Sequence, residues 1–113
     1  MHEMAVTQSV LNIALTEGKK AGARRIREIR IRMGAYSDVV PSVLREYFRI
    51  AAAGTIAEGA EIVLTRVPVT MRCRSCGWQG EVDKFHIACG DCGGTDLQLL
   101  TGREFLVESL EAE

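Results

Sequence analysis

Apolar residues near the start of the chain recur at intervals of three and four: Met4, Val6, Val10, Leu11, Ile13, Ala14 and Leu15. That spacing lines one face of a helix and predicts an amphipathic helix over residues 4–21, with Gly18 and Gly22 bracketing its end. The period then changes. In REIRIRMG, Ile29, Ile31 and Met33 alternate with Glu28, Arg30 and Arg32. An extended chain carrying that pattern has one apolar and one charged face, which predicts a half-buried strand stopped by Gly34. Pro41 suits the first turn of a second helix, whose stripe is Leu44, Tyr47, Phe48 and Ala51 and whose stop is Gly54. AEIVLTRV at 60–67 reads as a second strand closed by Pro68, and REFLVESL near the C-terminus reads as a third.

This order predicts an α+β fold in which two helices pack on a three-stranded sheet, each layer burying the other's apolar face. Residues 1–68 and 100–113 are expected to fold as one body. Residues 69–99 are expected to form a separate module inserted between the second and third strands. The module's apolar residues, read as Trp78, Val82, Phe85, Ile87 and Leu97, are too few for a core of its own.

The module holds all four cysteines, in MRCRSCGWQGEVDKFHIACGDCGG. Cys73 and Cys76 form one C-x-x-C pair, Cys89 and Cys92 another, with twelve residues between them. Each pair can bite one edge of a tetrahedron, and the intervening loop brings the edges together, so the spacing predicts a four-cysteine site for Zn²⁺ in a zinc-ribbon-like module. Iron can occupy the same four sulfurs. Gly77 and Gly93 each follow the second cysteine of a pair, where a left-handed turn lets amides point at sulfur. Two disulfides would conflict with a cytoplasmic chain, and a redox C-x-x-C would come singly beside a βαβ unit. Four thiolates close the metal's shell, so the ion is expected to be structural and to supply much of the module's folding energy.

Composition narrows the function classes. Formal net charge is −1 and pI is near 6.1, which argues against generic nucleic-acid binding, since that requires a basic footprint. No apolar run approaches the roughly 20 residues that span a bilayer. Glu3, Gln8 and Asn12 make the start a poor signal peptide, so a cytoplasmic protein is expected. No nucleophile–base pair, phosphate-binding glycine loop or open metal position is legible, so no enzymatic activity is expected. Arg24, Arg25, Arg27, Arg30 and Arg32 form a basic cluster. It reads either as a solvated strand face or as a docking site for an acidic partner surface.

Taken together, the MHE start, the strand ending in MGAYS, then PSVLREYF, GTIAEGAEI and the paired C-x-x-C knuckles, the chain resembles the HypA family over essentially its whole length. That family comprises nickel metallochaperones of nickel–iron hydrogenase maturation and, in some organisms, of urease. The resemblance implies that His2 is a nickel ligand and that Glu3 contributes to the nickel site or to binding the GTPase HypB. It implies a structural zinc on Cys73, Cys76, Cys89 and Cys92, with Ni(II) as transient cargo. Its expected partners are HypB, the hydrogenase large subunit and a urease accessory protein, with the chain a monomer or homodimer. Some members carry a further histidine near the cysteine pairs; here the only other histidine is His86, inside the knuckle loop.

The implied nickel site has a physical rationale. With Met1 retained, as expected before a residue as large as histidine, the α-amine, the His2 amide nitrogen and the His2 Nδ1 can close two chelate rings on one metal. Glu3, a second histidine or water would complete a square. Square-planar nitrogen coordination suits Ni(II) and Cu(II). Two other readings stay open: a terminal histidine that merely lies in solvent, and a zinc-ribbon adaptor for protein or nucleic acid without a nickel role.

Overall fold

The computed structural model describes residues 3–113. Met1 and His2, to which two of the nickel-ligand expectations attach, lie outside the described residues. Two helices and six strands follow in the order α1 (Glu3–Lys20), β1 (Ile26–Gly34), α2 (Pro41–Ala51), β2 (Glu61–Val67), β3 (Thr70–Cys73), β4 (Gln79–Glu81), β5 (Leu97–Thr101) and β6 (Phe105–Ala112). One three-stranded sheet has the order β2-β1-β6, a second the order β4-β3-β5. The α+β expectation therefore holds, with β6 as the anticipated third strand.

The chain divides into two compact units. The first comprises residues up to Ile31, Asp38–Leu64 and Val107–Glu113. Its buried stripe on α1 is Thr7, Val10, Leu11, Ala14 and Gly18. Met4 and Ile13, expected on that stripe, are 47% and 44% exposed. Burying Thr7 instead costs little, because its hydroxyl donates to the Glu3 carbonyl at 2.6 Å. The helix ends in paired bonds from the Gly22 amide to the Lys19 carbonyl and from the Ala23 amide to the Gly18 carbonyl, the Schellman pattern that satisfies its last carbonyls. Lys19 and Lys20 lie in that turn, where the helix dipole favours cations.

Helix α2 starts as its sequence directs. Val40 is extended, as a residue before proline must be, and Pro41 opens the first turn, where no amide donor is needed. Leu44 and Phe48 bury almost completely, each contributing about 2–3 kcal/mol of apolar transfer free energy, while Tyr47 is half-buried. Helices α1 and α2 contact each other. Ile26, Ile29 and Ile31 of β1 and Ile62 of β2 complete the buried set of this unit.

The second unit comprises Arg32–Ser37 and Thr65–Leu106. Strand β3 pairs antiparallel with β4 (Met71 opposite Gly80) and with β5 (Met71 opposite Leu99). Val69, Met71 and Val82 are buried, with Ala35, Tyr36, Trp78, Leu97 and Leu99 packed around them. So this unit has a small core, built by a sheet that the sequence pattern did not predict. Phe85 and Ile87, two of the module's few apolar residues, stand outside it, 81% and 41% exposed. They occupy a turn in which the Asp83 carboxylate accepts from the Phe85 amide and the Asp83 carbonyl from the His86 amide. The turn satisfies its own backbone and leaves its side chains outside.

Candidate metal centre

Strand β3 carries Met71 into the core and ends at Cys73, whose side chain is buried. The chain then turns: the Gly77 amide donates to the Cys73 carbonyl at 2.9 Å. The second knuckle repeats this, the Gly93 amide donating to the Cys89 carbonyl at 3.1 Å. Gly77 and Gly93 have φ of 83° and 73°, a conformation that a side chain disfavours. The anticipated pair of knuckles is therefore present, each with glycine at its left-handed position.

Trp78 fixes how the knuckles approach. A Cβ built on Gly80 would lie 2.5 Å from the indole, and one on Gly90 2.7 Å from it. Two bare backbone positions thus pave a slot for the ring, which is a packing element of the module, as its sequence context suggested.

All four sulfurs lie within 4.8 Å of one another. Cys73 and Cys92 Sγ are 3.7 Å apart, Cys76 and Cys89 Sγ 3.5 Å apart. A metal–sulfur bond of about 2.3 Å sets tetrahedral edges of roughly 3.8 Å, so the four sulfurs fit around one ion. None of the four cysteines forms a disulfide, and Cys73 and Cys89 are buried while Cys76 and Cys92 are exposed. Amides reinforce the cage: Asp91 and Cys92 donate to Cys89 Sγ at 3.3 Å, and Gly94 donates to Cys92 Sγ at 3.4 Å. Such donors hold ligand orientation and spread thiolate charge.

Electrostatics divide the four into two kinds. The Cys76 amide favours the Cys73 thiolate and lowers its pKa despite burial. Burial opposes the Cys89 thiolate, but the amides of Cys92 and Asp91 and the neighbouring thiols outweigh it and bring Cys89 down to about 6. The Trp78 amide favours the Cys76 thiolate, yet its bond to Cys89, burial and the other thiols push Cys76 up to about 12. The Gly94 amide favours the Cys92 thiolate, but the thiols of Cys89 and Cys73 reverse this and raise it. Without metal, the Cys76–Cys89 contact thus pairs a thiol with a thiolate, while the Cys73–Cys92 contact sets a thiol that ionises more easily against one that resists.

A metal needs all four deprotonated, so binding near neutral pH releases protons from Cys76 and Cys92. As pH falls through about 6, Cys89 gains a proton that the metal must also displace. Affinity therefore falls with falling pH, and the plot of log affinity against pH is expected to steepen by about one proton as pH drops below about 6. Competition titrations with a chromophoric chelator across pH 5–8 measure this. A constant slope through that range would contradict it.

Glu3, the described member of the expected nickel site, begins α1. One of its carboxylate oxygens faces the Val40 amide at 3.4 Å. His86 is exposed, and the cysteines form their cluster without it. The amides of Asp91, Cys92 and Gly94 also belong to the centre. Sequence reading passed over them individually, and only the glycines after each pair signalled them. No described helix is long and apolar enough to cross a membrane.

The family described as hydrogenase/urease nickel incorporation, metallochaperone, hypA matches residues 1–112. A hydrogenase maturation factor HypA of Geobacter metallireducens is 37% identical over 113 residues, covering all of both chains. One of Dehalococcoides mccartyi (strain CBDB1) is 32% identical over 113 residues, covering all of this chain and 95% of its own. In fold, the chain is similar to the solution structure of the Ni metallochaperone HypA from Helicobacter pylori. The TM-score is 0.68 at 20% identity, over 99% of this chain and 97% of that one.

Proposed function

This chain belongs to the HypA family, and from that premise we propose that it binds Ni(II) through Met1, His2 and Glu3 and hands it on, with Zn(II) in the four-cysteine centre. The family is one of nickel incorporation metallochaperones acting in hydrogenase maturation, and its members are maturation factors, not catalysts. The observation that carries the nickel assignment is the extent of the family match, which reaches residue 1 and so takes in all three proposed ligands. The cysteine geometry adds a second argument. One tetrahedral ion uses all four thiolates, so a second metal must find its donors elsewhere.

Zn(II) suits four thiolates in a closed tetrahedron, a site for folding and not for chemistry. Ni(II) suits a planar set of amine, amide and imidazole nitrogens. Residues 1–68 with 100–113 would carry the nickel site and residues 69–99 the zinc. Delivery needs an energy source that this chain lacks, which the GTPase HypB would provide in the cytoplasm. The hydrogenase large subunit would be the recipient, and urease maturation a second use of the same cargo.

The test is a nickel titration of zinc-loaded protein with its native, untagged N-terminus, beside His2→Ala. One tight site per chain with a planar d–d absorption band is expected, and the variant should lose both. Because nickel displaces protons from amine and imidazole, affinity should also weaken below the imidazole pKa of about 6.5. Equal nickel binding by both proteins would move the cargo site away from His2.

A further inference from the structure

The five arginines that cluster in the sequence do not share one environment. Arg27 pairs with Glu113 at 3.5 Å and Arg30 with Glu28 at 2.8 Å, as a solvated strand face would. Arg24 and Arg25 precede β1 and make no ion pair among the described residues. Their amides hold the Glu113 carbonyl at 2.6 and 3.1 Å, and their side chains line a 570 Å³ cavity against the loop that follows α2.

Gly59 of that loop also lines a second cavity, of 460 Å³. Arg45 and Arg49 of α2 line it, with the buried side chains of Phe48 and Ile62 beneath them. Arg49 is paired with Glu46. Arg45 has no carboxylate partner among the described residues. Its guanidinium donates Nε and one terminal nitrogen to the Ile62 carbonyl at 3.4 and 3.2 Å. The head group is thereby tethered, with its remaining N–H donors uncommitted. Ile62 belongs to β2, an outer strand of its sheet.

We infer that Arg24, Arg25 and Arg45, set around the loop between α2 and β2, form a docking surface for an acidic, extended segment of a partner protein. These three guanidinium groups pair with no carboxylate among the described residues, and a carboxylate is the group whose two oxygens match the guanidinium fork. Two cavities that share Gly59 spread the surface along the loop in place of a single pocket, and an outer strand beside it suits an extended chain. A polynucleotide fits less well. Glu58 lines one cavity and Glu61 the other, so a continuous phosphate backbone would meet fixed negative charge, whereas a peptide can place its carboxylates selectively. This surface lies wholly within the first unit and does not depend on where nickel binds.

The test uses the zinc-loaded, nickel-free full chain as bait for a displayed library of random peptides, with Arg24→Glu/Arg45→Glu as the subtraction bait. Enriched peptides should be rich in Asp and Glu. A synthetic representative should bind the parent chain about tenfold or more tightly than the double variant, and lose affinity as salt rises. Arg27→Glu/Arg30→Glu should bind it as the parent does. Should circular dichroism show the first variant misfolded, Arg24→Gln/Arg45→Gln replaces it. Enrichment without acidic residues, equal binding by the double variant, or equal loss in the strand-face variant would overturn the inference. So would displacement of the peptide by lower concentrations of single-stranded DNA.

Discussion

Cys89→Ser will take the metal content of the purified chain from one four-sulfur-bound ion to none, and the second unit will lose its fold. Cys89 is buried, receives two amide hydrogen bonds and lies against Cys76 Sγ. A serine there offers a hydroxyl that binds soft-ligand metals poorly and leaves amides aimed at an atom of the wrong size. The core it would fall back on is small: Val69, Met71 and Val82 with a partly buried rim. Structural zinc sites in small modules supply on the order of 10 kcal/mol of folding free energy, more than so few apolar side chains replace. Elemental analysis and amide correlation spectra measure the two effects. Signals from residues 69–101 should collapse into the unfolded range, and treating the parent chain with chelator should reproduce the result. A variant with dispersed signals from that segment and no metal would show the module stands without its ion.

The second large effect is expected at Gly34, the last residue of β1. A Cβ there would clash with the carbonyl group of Gly102 and stand 2.6 Å from the amide nitrogen of Arg103, all backbone atoms. The crossing is held tightly. The Gly34 amide donates to the Glu104 carbonyl and the Tyr36 amide to the Gly102 carbonyl, each at 2.7 Å. Backbone cannot rotate aside as a side chain can, so Gly34→Ala should destabilise by about 3 kcal/mol or more. Gly54→Ala is the comparison. Gly54 has φ of 81° with open space around it, so it should cost only the dihedral strain, about 1–2 kcal/mol. Thermal melts of the metal-loaded proteins decide. Equal shifts for the two variants would mean that the crossing relaxes freely.

Much of this was legible in the chain itself. Ile29 and Ile31 bury as their alternation required, and Leu44 and Phe48 as their helical spacing required. The four cysteines converge as their pairing required. The misreadings share a cause. Met4 and Ile13 fall on the apolar spacing of α1, yet both are exposed. Hydrophobicity states what burial would gain, but not whether a neighbour exists to cover the residue. Thr7 was passed over because it is polar, though a hydroxyl bonded to its own helix buries cheaply. Strands β3, β4 and β5 went unread because four, three and five residues are too few to display a period.

What the sequence determined alone was local and covalent: the helical and extended periods, the proline start, and the cysteine spacing that makes one tetrahedral site geometrically accessible. Each follows from a repeat or a bond length and needs no distant contact. What only the tertiary structure decided was which groups meet across the chain. It set Gly34 against Gly102, packed Trp78 against Gly80 and Gly90, and aimed amides at sulfur so that Cys89 ionises readily while Cys76 resists. It also sorted one run of arginines into paired and unpaired members. Those outcomes depend on distances between residues far apart in sequence, or on the direction in which a backbone turns. A one-dimensional pattern of polarity carries neither.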